Sequence, residues 1–89
     1  MDEADIKRRS YIFKALADPT RIKILRLLKQ RPMCNCEITT ALGLTGPNAS
    51  HHLNLLKRNE IVTSEKAGKW VFYKLQQSTI QNLMSDITG

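Results

Sequence analysis

Leu44-Thr45-Gly46-Pro47-Asn48-Ala49-Ser50-His51-His52-Leu53-Asn54-Leu55-Leu56 is the stretch on which the fold turns. Thr45 can cap a helix with its hydroxyl, and Pro47 is tolerated in a first turn because its missing N–H has no partner there anyway. The spacing predicts a helix over 47–59. Ala49, His52, Leu53 and Leu56, with Leu55 at the edge, point to a core, while Asn48, Ser50, His51, Asn54, Lys57 and Arg58 point outward. Just before it, Cys36 to Leu42 reads as a short helix closed by Gly43. Two helices joined by Gly43-Leu44-Thr45-Gly46 fit a helix-turn-helix. Thr45, Asn48, Ser50 and His51 then cluster at the start of the second helix, where small polar groups can enter a major groove and reach base edges. Lys57 and Arg58 lie too far along to read the same bases and suit the phosphate backbone or solvent.

Beyond Asn59 the period changes. Ile61-Val62-Thr63-Ser64-Glu65 and Trp70-Val71-Phe72-Tyr73-Lys74-Leu75 are rich in β-branched and aromatic residues and flank Lys66-Ala67-Gly68-Lys69. This predicts a β-hairpin with a basic tip, a wing whose Lys66 and Lys69 would reach phosphates or the minor groove. The bland alternative is a solvated turn whose lysines only blunt a strand edge. Ile80, Leu83, Met84 and Ile87 then predict a last amphipathic helix over 78–88. Towards the N-terminus, Asp18-Pro19 is a helix start. It opens a segment with Ile22, Leu25 and Leu28 on one stripe, widened by Ile24 and Leu27 and ended by Pro32. Residues 4–16 carry Ile6, Tyr11, Ile12, Ala15 and Leu16 as a further amphipathic helix. The expected fold is mostly α with a β-hairpin wing, a winged helix-turn-helix in the order α-α-α-α-β-β-α, built as one domain over residues 1–89.

The composition narrows the partners. Fourteen Lys and Arg against eight Asp and Glu give a formal charge of +6, which suits a polyanion. With 6% aromatic residues the core must be mainly aliphatic, and a chain of 89 residues gains from pairing with a second copy. The acidic start Met1-Asp2-Glu3-Ala4-Asp5 does not read as a secretory signal. No apolar run is long enough to span a bilayer, so no membrane partner is expected and the expected location is cytoplasmic. No phosphate-cradling glycine loop, paired carboxylates or Ser/His/Asp set argues for catalysis. The only cysteines are Cys34 and Cys36. Residues so close rarely meet disulfide geometry, which predicts free thiols. At a helix start beside Arg31 such thiols would ionise readily and could chelate one soft ion.

Several segments resemble the ArsR/SmtB repressors. Phe13-Lys14-Ala15-Leu16-Ala17-Asp18-Pro19-Thr20-Arg21-Ile22-Lys23-Ile24-Leu25 is similar to their opening, and Cys34-Asn35-Cys36-Glu37-Ile38 to their C-x-C-[DE]-[LI] segment. Ser50-His51-His52-Leu53-Asn54-Leu55-Leu56 resembles S-x-H-L-x-x-L of their recognition helix, and Gly68-Lys69-Trp70-Val71-Phe72-Tyr73 their wing. The resemblance implies a homodimer joined through residues 4–16 and 78–88. It implies repression by occupying an operator inverted repeat in double-stranded DNA, and release when a metal or metalloid binds. The arsenic-sensing branch carries C-x-C-x-x-C; here Cys34 and Cys36 match and Thr39 stands third, so As(III) or Sb(III) held by sulfur would need an outside thiol. The zinc branch uses His, Asp and Glu on the last helix, where this chain has only Asp86. No cofactor is required. The alternative is a regulator that binds no metal, its cysteines being structural or a redox switch.

Overall fold

A computed structural model describes all residues, Met1–Gly89. Helix α1 spans Glu3–Leu16, α2 Pro19–Gln30, α3 Asn35–Leu42, α4 Gly46–Arg58 and α5 Gln77–Thr88. The strands are β1 Met33–Cys34, β2 Val62–Ala67 and β3 Trp70–Leu75. The helices begin where side chains can satisfy their first N–H groups. Asp2 accepts from the Asp5 N–H at 2.9 Å, Asp18 from the Arg21 N–H at 3.0 Å, and Thr45 Oγ1 from the Asn48 N–H at 3.2 Å. Gly43 closes α3 in the left-handed conformation with φ 65°, which lets the chain turn sharply into α4.

The core lies where α2, α3 and α4 meet the sheet. Ile24, Ile38, Leu53, Leu56, Ile61 and Val62 are fully enclosed, and Ile12, Leu28, Met33 and Leu83 join them. Each such side chain contributes roughly 1.5–3 kcal/mol when withdrawn from water. The centre of the α2 stripe is therefore Ile24 and Leu28, with Leu25 and Leu27 partly buried, and Ile22 is exposed rather than core. The expected helix order holds, with ends shifted by a residue or two.

Two features depart from expectation. The short strand β1 pairs antiparallel with β3 through Met33↔Tyr73 and Cys34↔Phe72, so the hairpin belongs to a three-stranded sheet in the order β1-β3-β2. A two-residue strand has no periodicity to show in sequence; it exists because β3 has a free edge beside it. The hairpin is also tighter than the four-residue tip predicted. Ala67 pairs with Trp70, leaving Gly68-Lys69 as the turn, with Gly68 at φ 63° in the first central position. No helix is long and apolar enough to cross a membrane.

Candidate nucleic-acid interface

α4 sits over the core on Ala49, Leu53 and Leu56, which are completely buried. That seat fixes which residues look outward. Asn48, His51 and Asn54 follow one another at single-turn spacing and are all exposed, as are Lys57 and Arg58 beyond them. Asn54 belongs to the same stripe as Asn48 and His51, and the 48-51-54 spacing was the signal for it. Thr45 is exposed at the helix start. Its hydroxyl oxygen accepts from Asn48, which leaves its proton to donate elsewhere. Ser50 is placed differently from this group. It is half-buried, and its Oγ accepts from Asn35 Nδ2 at 2.9 Å, because position 50 lies on the flank of α4 that faces α3.

His52 faces inward, as its place in the apolar pattern suggested, and it has polar company. An Arg21 guanidinium nitrogen lies 3.2 Å from His52 Nδ1. A guanidinium only donates, so Nδ1 accepts and a neutral ring carries its proton on Nε2. The same guanidinium donates to the Ala15 carbonyl at 2.7 Å, tying the end of α1 to α2 and α4. Asp18 stands 4.0 Å from His52. The Arg21 backbone N–H, followed by the charge of Arg21, holds the Asp18 carboxyl below its ordinary pKa. Arg21 carries this junction, and only its position in the helix after Asp18-Pro19 hinted at it.

On the wing, Lys66 and Lys69 are both exposed near the tip. Lys69 Nζ lies 5.5 Å from the centre of the Trp70 ring, so its ammonium sits over the indole face. The wing thus presents two ammonium groups on a two-stranded support, with Trp70 and Val71 exposed beside them.

The cysteines overturn the expectation of free thiols: Cys34 and Cys36 are joined by a disulfide. Spacing by itself argues against a bridge. Here Cys34 is the extended residue that caps α3 and Cys36 lies in its first turn, which sets the Cα atoms 5.4 Å apart, inside the range a disulfide spans. Arg31 does not serve the cysteines either. It pairs with Glu37 at 2.6 Å, and that hydrogen bond holds the Glu37 carboxyl below its ordinary value and the Arg31 guanidinium above its own. Thr39, at the third position, donates its hydroxyl to the Cys36 carbonyl at 2.9 Å. No group of three or more His, Cys, Asp or Glu side chains is placed to hold a metal ion.

A second surface is formed by α1 and α5. Arg9 clasps Asp86 at 2.6 Å, and Ile12 and Leu83 are buried beneath. Facing outward are Ile6, Phe13, Met84 and Ile87, each 42–48% exposed.

Comparison with known proteins agrees with this geometry. The sequence profile described as bacterial regulatory protein, arsR family, matches residues 18–64. The transcriptional repressor SdpR of Bacillus subtilis is 39% identical over 71 residues, covering 80% of this chain and 79% of that protein. The arsenical resistance operon repressor of Escherichia coli is 43% identical over 65 residues, covering 72% of this chain and 56% of its own length. Among solved structures, a homodimeric winged helix-turn-helix DNA-binding domain from Mycobacterium bovis superposes with a TM-score of 0.83 at 25% identity. It covers 98% of this chain and 84% of that one.

Proposed function

This chain belongs to the arsR family of bacterial regulatory proteins, and on that premise we propose that it is a homodimeric transcriptional repressor, acting in the cytoplasm, that occupies an inverted repeat in double-stranded DNA and is released by a thiol-binding metalloid at Cys34 and Cys36. The observation that carries the DNA-binding part is the exposed polar stripe at the start of α4 beside a basic wing, on a chain of net charge +6. Asn48 and His51 read base edges in the major groove, helped by Asn54. The hydroxyl protons of Thr45 and Ser50 donate to phosphate or base at the edge of that contact. Lys57, Lys66 and Lys69 meet phosphates. The exposed apolar faces of α1 and α5, residues 4–16 and 78–88, join the two protomers, which sets two reading helices on one face of the duplex.

Sensing begins from the dithiol. The disulfide must first take up two electrons and two protons from a thiol reductant. Arsenous acid can then condense with both thiols, losing two waters, and a third, outside thiol completes a trigonal sulfur set in the place Thr39 cannot fill. That the Escherichia coli relative is named for arsenical resistance supports the ligand class. The disulfide itself favours a second reading, in which oxidation alone is the signal.

The deciding experiment is an electrophoretic shift on a duplex selected by the reduced protein from a random-sequence pool. As(III) or Sb(III) releases the wild-type complex, and Cys34→Ser resists release. A complex indifferent to both ions sinks the metalloid reading. If the same complex responds to a hydroperoxide, the redox reading replaces it.

A further inference from the structure

Asn35 is the one residue enclosed by the Cys34–Cys36 bridge, and it is also the residue that touches the reading helix. Its side-chain amide donates to Ser50 Oγ on α4 at 2.9 Å in a part-buried contact. On the other side of the same segment, the backbone of Cys34 pairs with Phe72 of β3, and Phe72 pairs in turn with Glu65 of β2. Three consecutive residues therefore join the cysteine pair to the wing and to the reading helix at once.

The geometry of the ring makes this a mechanical link. A bond between the two sulfurs closes a small ring whose backbone torsions are those of Asn35, flanked by ψ of Cys34 and φ of Cys36. Cys34 is extended, at φ −79° and ψ 164°, while Asn35 and Cys36 are already helical, so the ring straddles the point where the chain enters α3. Opening the ring, or widening it by placing an ion between the sulfurs, must be absorbed at those torsions. Asn35 carries its amide on the central one. Ser50 lies one residue from His51 and two from Asn48, so a shift in the amide reaches the face of α4 that meets DNA.

We propose that Asn35 is the positioning residue that passes the covalent state of Cys34 and Cys36 to Ser50 and so sets the placement of the reading helix. This rests on the reading of the cysteine pair as the regulated site. The buried Cys34 and the exposed Cys36 also fix the order of the chemistry. A thiolate of a small dithiol attacks Cys36 Sγ, and Cys34 leaves as thiolate and takes a proton. The second thiol of the reagent then displaces Cys36, so the protein gains two electrons and two protons and the reagent leaves as a cyclic disulfide.

The test measures the Kd of the full chain by fluorescence anisotropy, on a duplex selected from a random pool, in the disulfide form, after reduction with dithiothreitol, and after reduction plus arsenite. Wild-type protein changes its Kd by about tenfold between its tightest and weakest states, a typical size for coupled sites. Asn35→Ala brings that ratio within about twofold while keeping the tightest Kd within about threefold of wild type. Asn35→Asp restores the ratio, because the Ser50 hydroxyl can donate to the new carboxylate. Amide resonances of Ser50 and His51 move on reduction of wild type and stay still in Asn35→Ala, a readout independent of DNA. A tenfold wild-type ratio retained in full by Asn35→Ala overturns the relay and leaves the sensing reading standing. A wild-type ratio of one in all three states overturns both.

Discussion

Among the residues open to solvent along α4 are Asn48, His51 and Asn54; along α1 and α5 they include the apolar Ile6, Phe13, Met84 and Ile87. Both rows are carried on helices whose opposite sides are seated in one core. Both leave large side chains in water, and they differ only in chemistry. A polar row beside lysines has hydrogen bonds to give and charges to neutralise, so a hydrated polyanion satisfies it. An apolar row has nothing to offer but area, so it is satisfied by a matching apolar row. In a C2 pair the same patch on a second copy supplies one. On the function proposed above both rows are interfaces, and side-chain chemistry says which partner each one takes.

The sharpest way to break this contrast is to put charge into the apolar row. Phe13→Asp combined with Ile87→Asp should weaken self-association by at least about a hundredfold, since four large side chains per dimer lose their burial. Sedimentation equilibrium reads the mass, and an unchanged dimer would assign that face to another role. Next in size is the polar row. His51→Ala and Asn48→Ala should each cost about 1–3 kcal/mol of DNA binding and relax the sequence selected, with no change in the dimer. Uniform weakening on every sequence would move these residues from base edges to phosphates. The wing lysines should matter through salt. Lys66→Ala is expected to lower the slope of log K against log salt by about one, and self-association should show almost no slope over the same range.

Smaller effects probe the scaffold common to both rows. Glu60 holds a φ of 59° at the exit of α4, a conformation that costs a residue with a Cβ. Glu60→Gly should raise unfolding stability by about 0.5–1 kcal/mol in urea titration, with DNA binding and dimer mass unaltered. The pH dependence is expected to be slight and of fixed sign. Asp18 and Glu37 both have carboxyls held below their ordinary values, by the Arg21 backbone N–H and the Arg31 guanidinium respectively. Their contribution is complete above the ordinary carboxylate range and is lost as pH falls through the lowered values. Denaturation midpoints should therefore fall on the acid side, and less so in Asp18→Asn; stability that rises with acid would contradict these pairings.

Much of this was legible in the chain because it is local. Asp18-Pro19 and Thr45-Gly46-Pro47 announce helix starts by capping chemistry. Gly43 and Gly68 mark turns by their tolerance of positive φ, and Ala49, Leu53 and Leu56 mark a buried stripe by period. The same locality gave Asn48 and His51 their outward direction. Strand β1 was not legible, nor was the inward turn of Ser50, since each depends on a neighbour distant in sequence: β3 for the one and Asn35 for the other. The thiols were misjudged for a related reason. Spacing counts residues, whereas a bridge depends on where the cap places two Cα atoms.

What the sequence determined by itself was the run of elements, the basic balance and the side chains available at the start of α4, all set by residue type and period. Which of those side chains stay free was settled by packing. It tied Ser50 to Asn35, His52 to Arg21 and Arg31 to Glu37, and left Asn48, His51, Lys66 and the apolar row of α1 and α5 open to partners. The reason is physical: a helix fixes the direction of a side chain, but what meets it there is fixed by how the helices and the sheet pack.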